Sequence, residues 1–370
     1  MTYDRENRFF AEDFEELCAS GYLLAAVPTE YGGAGLRLTE VGRLQQRLAY
    51  HAPATAVAVN MHLYWTGVAA DMLRAGDDRC AWLLEEAAAG AVFAAGHGEI
   101  GNDAALFASV VSAEPVDGGW VLNGRKVFGS LSPVWTYLGF HAMDTSDPSA
   151  PKVLHGFLPR DASGYRIEQT WDALGMRATA SHDTVFEDTF VESRQVPVIA
   201  RAGPRGAELF HVAVMAWALL GFGNVYAGVA RRAYDLTIES VSKRRTVTLS
   251  RTQAHHPEVE RAVAEMRMAL LAIDGYLTKV CEEWDAAVPY ADWAPRIVAA
   301  KHFAVTQAWS VVDTALDVAG GSGVFRRNRL EQLFRDARLG RVHPVNRLGT
   351  FEIIGKAALG IAPDVDPRWG

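Results

Sequence analysis

The sequence predicts a multi-domain α+β protein, with an N-terminal helical unit over residues 1–91, a central β unit over 92–200 and a C-terminal helical unit over 201–370. Three observations predict this. Apolar residues recur at helical spacing through residues 9–91, short alternating runs broken by turn residues replace them through 92–198, and helical spacing returns after Pro197.

In the first unit, Phe10, Phe14, Leu17 and Cys18 share one helical stripe, and further helices are expected over 44–50 and an Ala-rich run, 54–75. Pro28 and the pair Gly32-Gly33 interrupt them with a surface loop. Asn60, His62, Tyr64 and Trp65 form a polar-aromatic group in an apolar segment, readable as hydrogen-bonded core or as pocket lining. The β unit carries strand patterns at 106–111, 120–122, 135–143, 153–158, 165–168 and 184–191. Hairpin turns at Asp117-Gly118-Gly119 and Asn123-Gly124 punctuate them, an arrangement that predicts a small β-barrel. Helices are expected near 207–243, 257–286, 292–319, 330–339 and 350–359, with apolar faces broad enough to pack as a bundle.

With 370 residues and 49% hydrophobic content, the chain can bury a large core. A net charge of −8 and the lack of any long Lys/Arg run argue against a nucleic-acid groove. Cys18, Cys80 and Cys281 are few and widely spaced, so neither a disulfide framework nor a metal site is expected, and a reducing cytoplasm fits best. The charged N-terminus lacks the apolar core of a signal peptide. The most apolar stretch, 209–223, is shorter than the roughly 20 residues that cross a bilayer, so a buried helix is expected and no membrane partner.

One stretch stands out as a candidate site. Trp171 begins a loop in which Gly175-Met176-Arg177 marks a turn and Thr179, Ser181 and His182 follow, before an alternating strand ending at Val191. Short hydroxyls beside a guanidinium suit a bound anion or a polar ring edge; a capped turn with a solvated Arg is the alternative.

This loop resembles the segment that closes the β-domain of the acyl-CoA dehydrogenase superfamily of flavoproteins. Other parts of the chain agree: Tyr31-Gly32-Gly33-Ala34-Gly35, the hairpin Val121-Leu122-Asn123-Gly124-Arg125-Lys126, the turn Gly320-Gly321-Ser322-Gly323, and Arg335-Asp336-Ala337-Arg338. The resemblance covers nearly the whole chain. It implies an α-domain, a β-barrel and a C-terminal four-helix bundle, bound FAD with FMN as the alternative, and a homotetramer or homodimer. It implies an acyl thioester substrate desaturated at its α,β-bond, with an electron-transfer partner. The same fold also hosts monooxygenases, which take reduced flavin from a reductase, form a C4a-hydroperoxide and hydroxylate N, S or aromatic carbon.

On that resemblance, Gly101, Asp103, Ser130, Ser132, Trp171, Arg177 and Thr179 are candidate flavin contacts, Gly96 standing where the family has a hydroxyl residue. Gly320, Gly321 and Gly323 read equally as a helix stop or, with Arg244, as a phosphate contact to a neighbouring subunit's flavin. Two departures bear on the reaction. The family's proton-abstracting Glu falls at Pro344 or Leu348, or at Ala218, none acidic, which leaves His97, Glu99, His211, His343 and Glu352 as candidate bases; His97 and Glu99 share a strand face as an acid-base pair or lie on a turn's solvated edge. The family's adenosine-contacting Phe-Gly and Phe-Gln are replaced by Val247-Thr248 and His256-Pro257. Monooxygenation needs no such base, only a dry pocket with a donor.

Overall fold

Helical spacing in the first 90 residues becomes α1 (Thr2–Glu6), α2 (Ala11–Ala19), α3 (Leu38–His51), α4 (Pro53–Arg74) and α5 (Trp82–Ala88). The computed structural model describes residues 2–247, 249–290 and 292–363; Thr248 lies outside them. Helix α4 starts on Pro53, whose missing N–H costs nothing in the first turn, and nearly all of its residues are buried. Its polar side chains are therefore partnered. His62 accepts the Phe93 amide at Nδ1 (3.1 Å) and donates from Nε2 to the Leu23 carbonyl (3.0 Å). Trp65 donates to the Ala94 carbonyl (3.0 Å), tying α4 to the sheet behind it.

The β part comprises β1 (Phe93–Gly96), β2 (Ser112–Val116), β3 (Gly119–Gly129), β4 (Tyr137–Asp144), β5 (Lys152–Pro159), β6 (Tyr165–Glu168), β7 (His182–Glu192) and β8 (Val198–Arg201). Their order is β6-β7-β3-β2-β4-β5-β8, with β1 parallel to β4. The expected barrel is not closed. The four-residue edge strands β6 and β8 pair only with β7 and β5, so the sheet is open. A second correction concerns 106–111, which is not a strand. The amides of Val110 and Val111 go to the Glu99 carboxylate (3.2 and 3.4 Å) in place of a ladder, a satisfaction that alternation cannot foretell.

From Leu209 the chain is helical again: α6 (Leu209–Met215), a π-helical turn (Ala216–Leu220), α7 (Gly221–Lys243), α8 (Pro257–Asp285), α9 (Ala294–Ala319), α10 (Arg329–Leu339) and α11 (Arg347–Leu359). The continuous run Leu209–Lys243 is 35 residues, long and apolar enough to span a membrane, but 89% of its most apolar window is buried inside the protein. Its apolar surface is covered by α3, α4, α8 and α9. Asn328 and Asn346 cap α10 and α11 through their side chains.

Where α4 meets the sheet, a Cβ on Gly139 of β4 would come within 2.5 Å of the Trp65 ring. Trp65 is fully buried among Phe157, Phe210 and His97 and has nowhere to move. Gly139→Ala is accordingly expected to cost about 1–3 kcal/mol in urea denaturation, the range for overpacked cores; an unchanged midpoint would contradict this packing.

Candidate active site

Strand β3 ends at Gly129 and the chain turns through Ser130, Leu131 and Ser132, directly against the 171–182 loop that leads into β7. Three hydroxyls form a ladder there: Ser130 Oγ to Ser181 Oγ at 2.8 Å, and Ser181 Oγ to Thr179 Oγ1 at 2.6 Å. Thr179 spends its single proton on the Met176 carbonyl (2.9 Å). The direction of the ladder follows: Ser181 donates to Thr179, Ser130 donates to Ser181, and Ser130 is left with lone pairs to offer. Met176 also accepts from Trp171 Nε1 (3.2 Å), so one carbonyl anchors both ladder and indole.

Beside the ladder opens a cleft of about 610 Å³, within the range of small-molecule sites. Asn7, Arg8 and Phe9 form one wall, and Trp171, Arg177, Ala180 and His182 the other. Five of the seven non-glycine residues with positive φ among the described residues gather here: Asn7, Phe128, Leu131, Met176 and Ala180. Strain of this kind persists where the surroundings over-determine a conformation, commonly at ligand sites. Asn7 donates to the Trp171 carbonyl (3.1 Å), yet its Oδ1 is buried without a partner. His182 accepts the Trp171 amide at Nδ1 (3.2 Å) and burial lowers its pKa, so its neutral ring carries the proton on Nε2. Arg177 is turned away in part, donating to the Asp4 and Ala173 carbonyls (2.9 and 3.1 Å). Phe128 is 62% exposed with its ring edge-on to Trp171.

The other sequence candidates lie elsewhere. His97 follows β1; its Nδ1 is 3.4 Å from the Tyr64 hydroxyl and its Nε2 is buried without a partner. Burial, with His141 and Lys126 nearby, holds its pKa well below the usual range. Glu99 does not pair with it. The Glu99 carboxylate accepts from Lys126 Nζ and Ser109 Oγ (both 2.5 Å) and from Asn102 Nδ2 (2.6 Å), besides the two amides above. Burial alone would raise its pKa, but His141 and the Lys126 charge hold it well below, ionised and without a lone pair to spare. His211 caps its own helix, taking the Glu208 amide at Nδ1 (3.3 Å) and meeting His155 Nε2 at 3.1 Å. His343 stacks on Phe222 (centroids 4.3 Å) and bonds the Tyr226 hydroxyl (2.9 Å). Ala218 is half-buried in the π-helical turn, and Pro344 and Leu348 are exposed.

Ser132 turns back to the Gly129 carbonyl (2.6 Å), apart from the ladder. Gly101 and Asp103 lie in the exposed loop after β1. Arg244 donates to the Ala319 carbonyl (3.0 Å), which brings it to the turn that starts at Gly320. A Cβ on Gly320 or Gly321 would meet nothing in this chain, whereas one on Gly323 would crowd Leu316. The structure thus unites Arg244 with Gly320 and, separately, Ser130 with Thr179. Asn7, Arg8, Phe9 and the donor role of His182 were missed, because nothing in local spacing joins residue 7 to residue 182.

Comparison with known proteins bears on this arrangement. Models of the acyl-CoA dehydrogenase N-terminal, middle and C-terminal domains match residues 1–80, 93–189 and 220–347. A Bacillus subtilis (strain 168) protein provisionally named acyl-CoA dehydrogenase YdbM is 30% identical over 92% of this chain and 87% of its own length. The chain belongs to the acyl-CoA dehydrogenase family. It is also similar to L-evernosamine nitrososynthase of a Micromonospora species, 29% identical over 98% of this chain and 87% of that protein. A solved structure of KijD3 in complex with FMN and dTDP-3-amino-2,3,6-trideoxy-4-keto-3-methyl-D-glucose superposes with a TM-score of 0.85 at 26% identity, covering 99% of this chain and 91% of that one. An acyl-CoA dehydrogenase family member is a flavin-dependent oxidoreductase, and this chain is one.

Two outcomes are expected. Ser181→Ala removes the middle rung and leaves the buried Ser130 hydroxyl without its acceptor, while Thr179 keeps its bond to Met176, a loss of about 1–3 kcal/mol; a denaturation midpoint equal to wild type would mean that the ladder is not formed. Burial lowers His62, His141 and His211 to about 4 and His343 to about 3. The unfolded chain takes up these protons near pH 6.5 and the folded one refuses them, so Tm falls as pH drops from about 6.5 towards 4. Asp336, raised by burial to about 6, and Asp285, also raised by burial, act oppositely over the same window but are two groups against four. A Tm that is flat or rises on acidification would refute the neutral histidines.

Proposed function

We propose that this family member is an oxygen-inserting flavoenzyme, using FMN and acting on a heteroatom or aromatic carbon of a small substrate. The observation that carries this reading is the absence of a carboxylate where acyl desaturation needs one: the three positions hold half-buried Ala218 and exposed Pro344 and Leu348. Glu99 is no substitute, because its oxygens are saturated with donors and its pKa is held well below the usual range, which makes it a weak base. The name of the Micromonospora relative supports it, since forming a nitroso group adds oxygen to an amine nitrogen.

The residues present fit a flavin. Ser130 offers lone pairs, His182 an N–H and Asn7 a buried unpartnered oxygen, the alternating donors and acceptors that a flavin ring edge requires. Trp171 supplies an aromatic wall to the cleft, with Phe128 edge-on to it at the rim. When bound, the flavin supplies two-electron redox chemistry and reaction with oxygen. The chain orients the ring edge through Ser130 and the ladder, and holds a proton at His182 Nε2 for donation into the cleft. FMN in a similar structure, and the lost adenosine contacts near Val247 and His256, favour the mononucleotide. The open turn at Gly320 and Gly321, with Arg244, is proposed to meet the phosphate of a second copy's flavin.

The same reading takes α7 to α10 as the core of a four-helix bundle, unit boundaries at 91/92 and 200/201, a cytoplasmic homodimer or homotetramer, and a separate flavin reductase as the source of electrons. Desaturation of an acyl thioester, with an electron-transferring partner, is the competing reading, favoured by the named function of the Bacillus relative.

One experiment separates them. Protein reconstituted with FMN or FAD is mixed anaerobically with a panel of acyl-CoAs, and in parallel reduced flavin, oxygen and a panel of amines, thioethers and phenols are supplied. Oxygen-dependent product from the second panel and no bleaching by the first is expected. Anaerobic bleaching by any acyl-CoA would replace oxygenation with desaturation.

A further inference from the structure

Both walls of the cleft hang from one short stretch of α10. Arg335 grips Asp4 with two parallel bonds, Nη1 to Oδ1 at 2.9 Å and Nη2 to Oδ2 at 2.7 Å, and both side chains are largely buried. Asp4 belongs to α1, whose chain continues directly into Asn7, Arg8 and Phe9. The same guanidinium donates to the Leu174 carbonyl (3.0 Å) and is braced by Glu331 (2.6 Å). The next residue, Asp336, is fully buried and serves the other wall. Its Oδ1 accepts the Met176 amide at 2.6 Å, while Oδ2 accepts from Gln332 at 3.3 Å.

Met176 holds φ 51° and carries the carbonyl on which both the hydroxyl ladder and Trp171 end. The loop lies so close to α10 that a Cβ on Gly175 would strike the Arg335 backbone. The walls are joined again at Arg177, which donates to the Asp4 carbonyl (2.9 Å). Adjacent residues on a helix point about 100° apart, which lets one helix reach two walls at once.

We propose that Arg335 and Asp336 are positioning residues that together set the separation of the cleft walls, and through it the affinity of the cleft for flavin. This rests on the reading of the cleft as the flavin site. A bidentate Arg–carboxylate pair fixes orientation as well as distance, and a buried carboxylate on a single amide fixes that amide. The C-terminal part of the chain thereby sets a site built by the other two.

The test is titration of FMN into purified variants, followed by flavin fluorescence, with Tm measured on each. Asp4→Asn and Arg335→Gln are each expected to raise the Kd for FMN at least tenfold, and the double variant no further than either alone, because they remove one bond. Asp336→Ala should raise it similarly, while Asp336→Asn, which keeps an acceptor for the Met176 amide, should recover most of the loss. Asp71→Asn is the stability control: Asp71 holds Trp217 and Trp284 (2.7 and 2.8 Å), so Tm should fall with Kd unchanged. Unchanged Kd in the Arg335 and Asp336 variants, with Trp171→Ala still weakening FMN, would overturn the positioning role alone. Unchanged Kd in Trp171→Ala and His182→Ala as well would overturn the cleft as the flavin site and this proposal with it.

Discussion

The bond from the Met176 amide to the buried carboxylate of Asp336 is the constraint on which the site depends. A non-glycine residue leaves the left-handed region readily unless something holds it there. Here the amide is held by Asp336 and the carbonyl by Thr179 and Trp171, so the peptide units on both sides of Met176 are tied down. The Ser130–Ser181–Thr179 ladder inherits its direction from that carbonyl, and the wall of the cleft inherits its position from that amide.

A second buried carboxylate organises the segment after β1. Glu99 collects Lys126, Ser109, Asn102 and two backbone amides, and the 98–111 segment wraps around it instead of joining the ladder. Burying such a pair brings little net stability, since desolvation offsets the attraction, but breaking it leaves a bare charge. The pair therefore specifies a conformation more than it strengthens one. Burial and the Lys126 charge hold His141 down at about 4, and burial lowers Lys126 to about 8, in both cases against the pull of Glu99. Burial likewise keeps the imidazoles of His97, His155 and His211 neutral, so Glu99 and Lys126 are the charged pair among them.

Much of the fold was legible in the chain. The change from period 3.6 to period 2 and back located the helical, strand and again helical stretches, and motif order along nearly the whole chain carried the family. Sheet closure was not legible, because alternation reports which face is buried and says nothing of whether two short edge strands meet. The candidate site was half legible. Trp171, Arg177 and Thr179 were singled out by residue type and Ser130 by the family resemblance, but the second wall at Asn7 to Phe9 was not, and Arg335-Asp336 was read as a motif without a task.

The sequence by itself determined the helical and strand content, the family, and the lack of a carboxylate at positions 218, 344 and 348, all properties of residue type and local spacing. Only the tertiary structure decided that Glu99 is spent on Lys126 and that the sheet stays open. It alone decided that residue 4 meets 335 and residue 176 meets 336 beside one cleft. The reason is physical: those outcomes depend on which buried donor finds which acceptor across hundreds of residues, and neither periodicity nor composition carries that information.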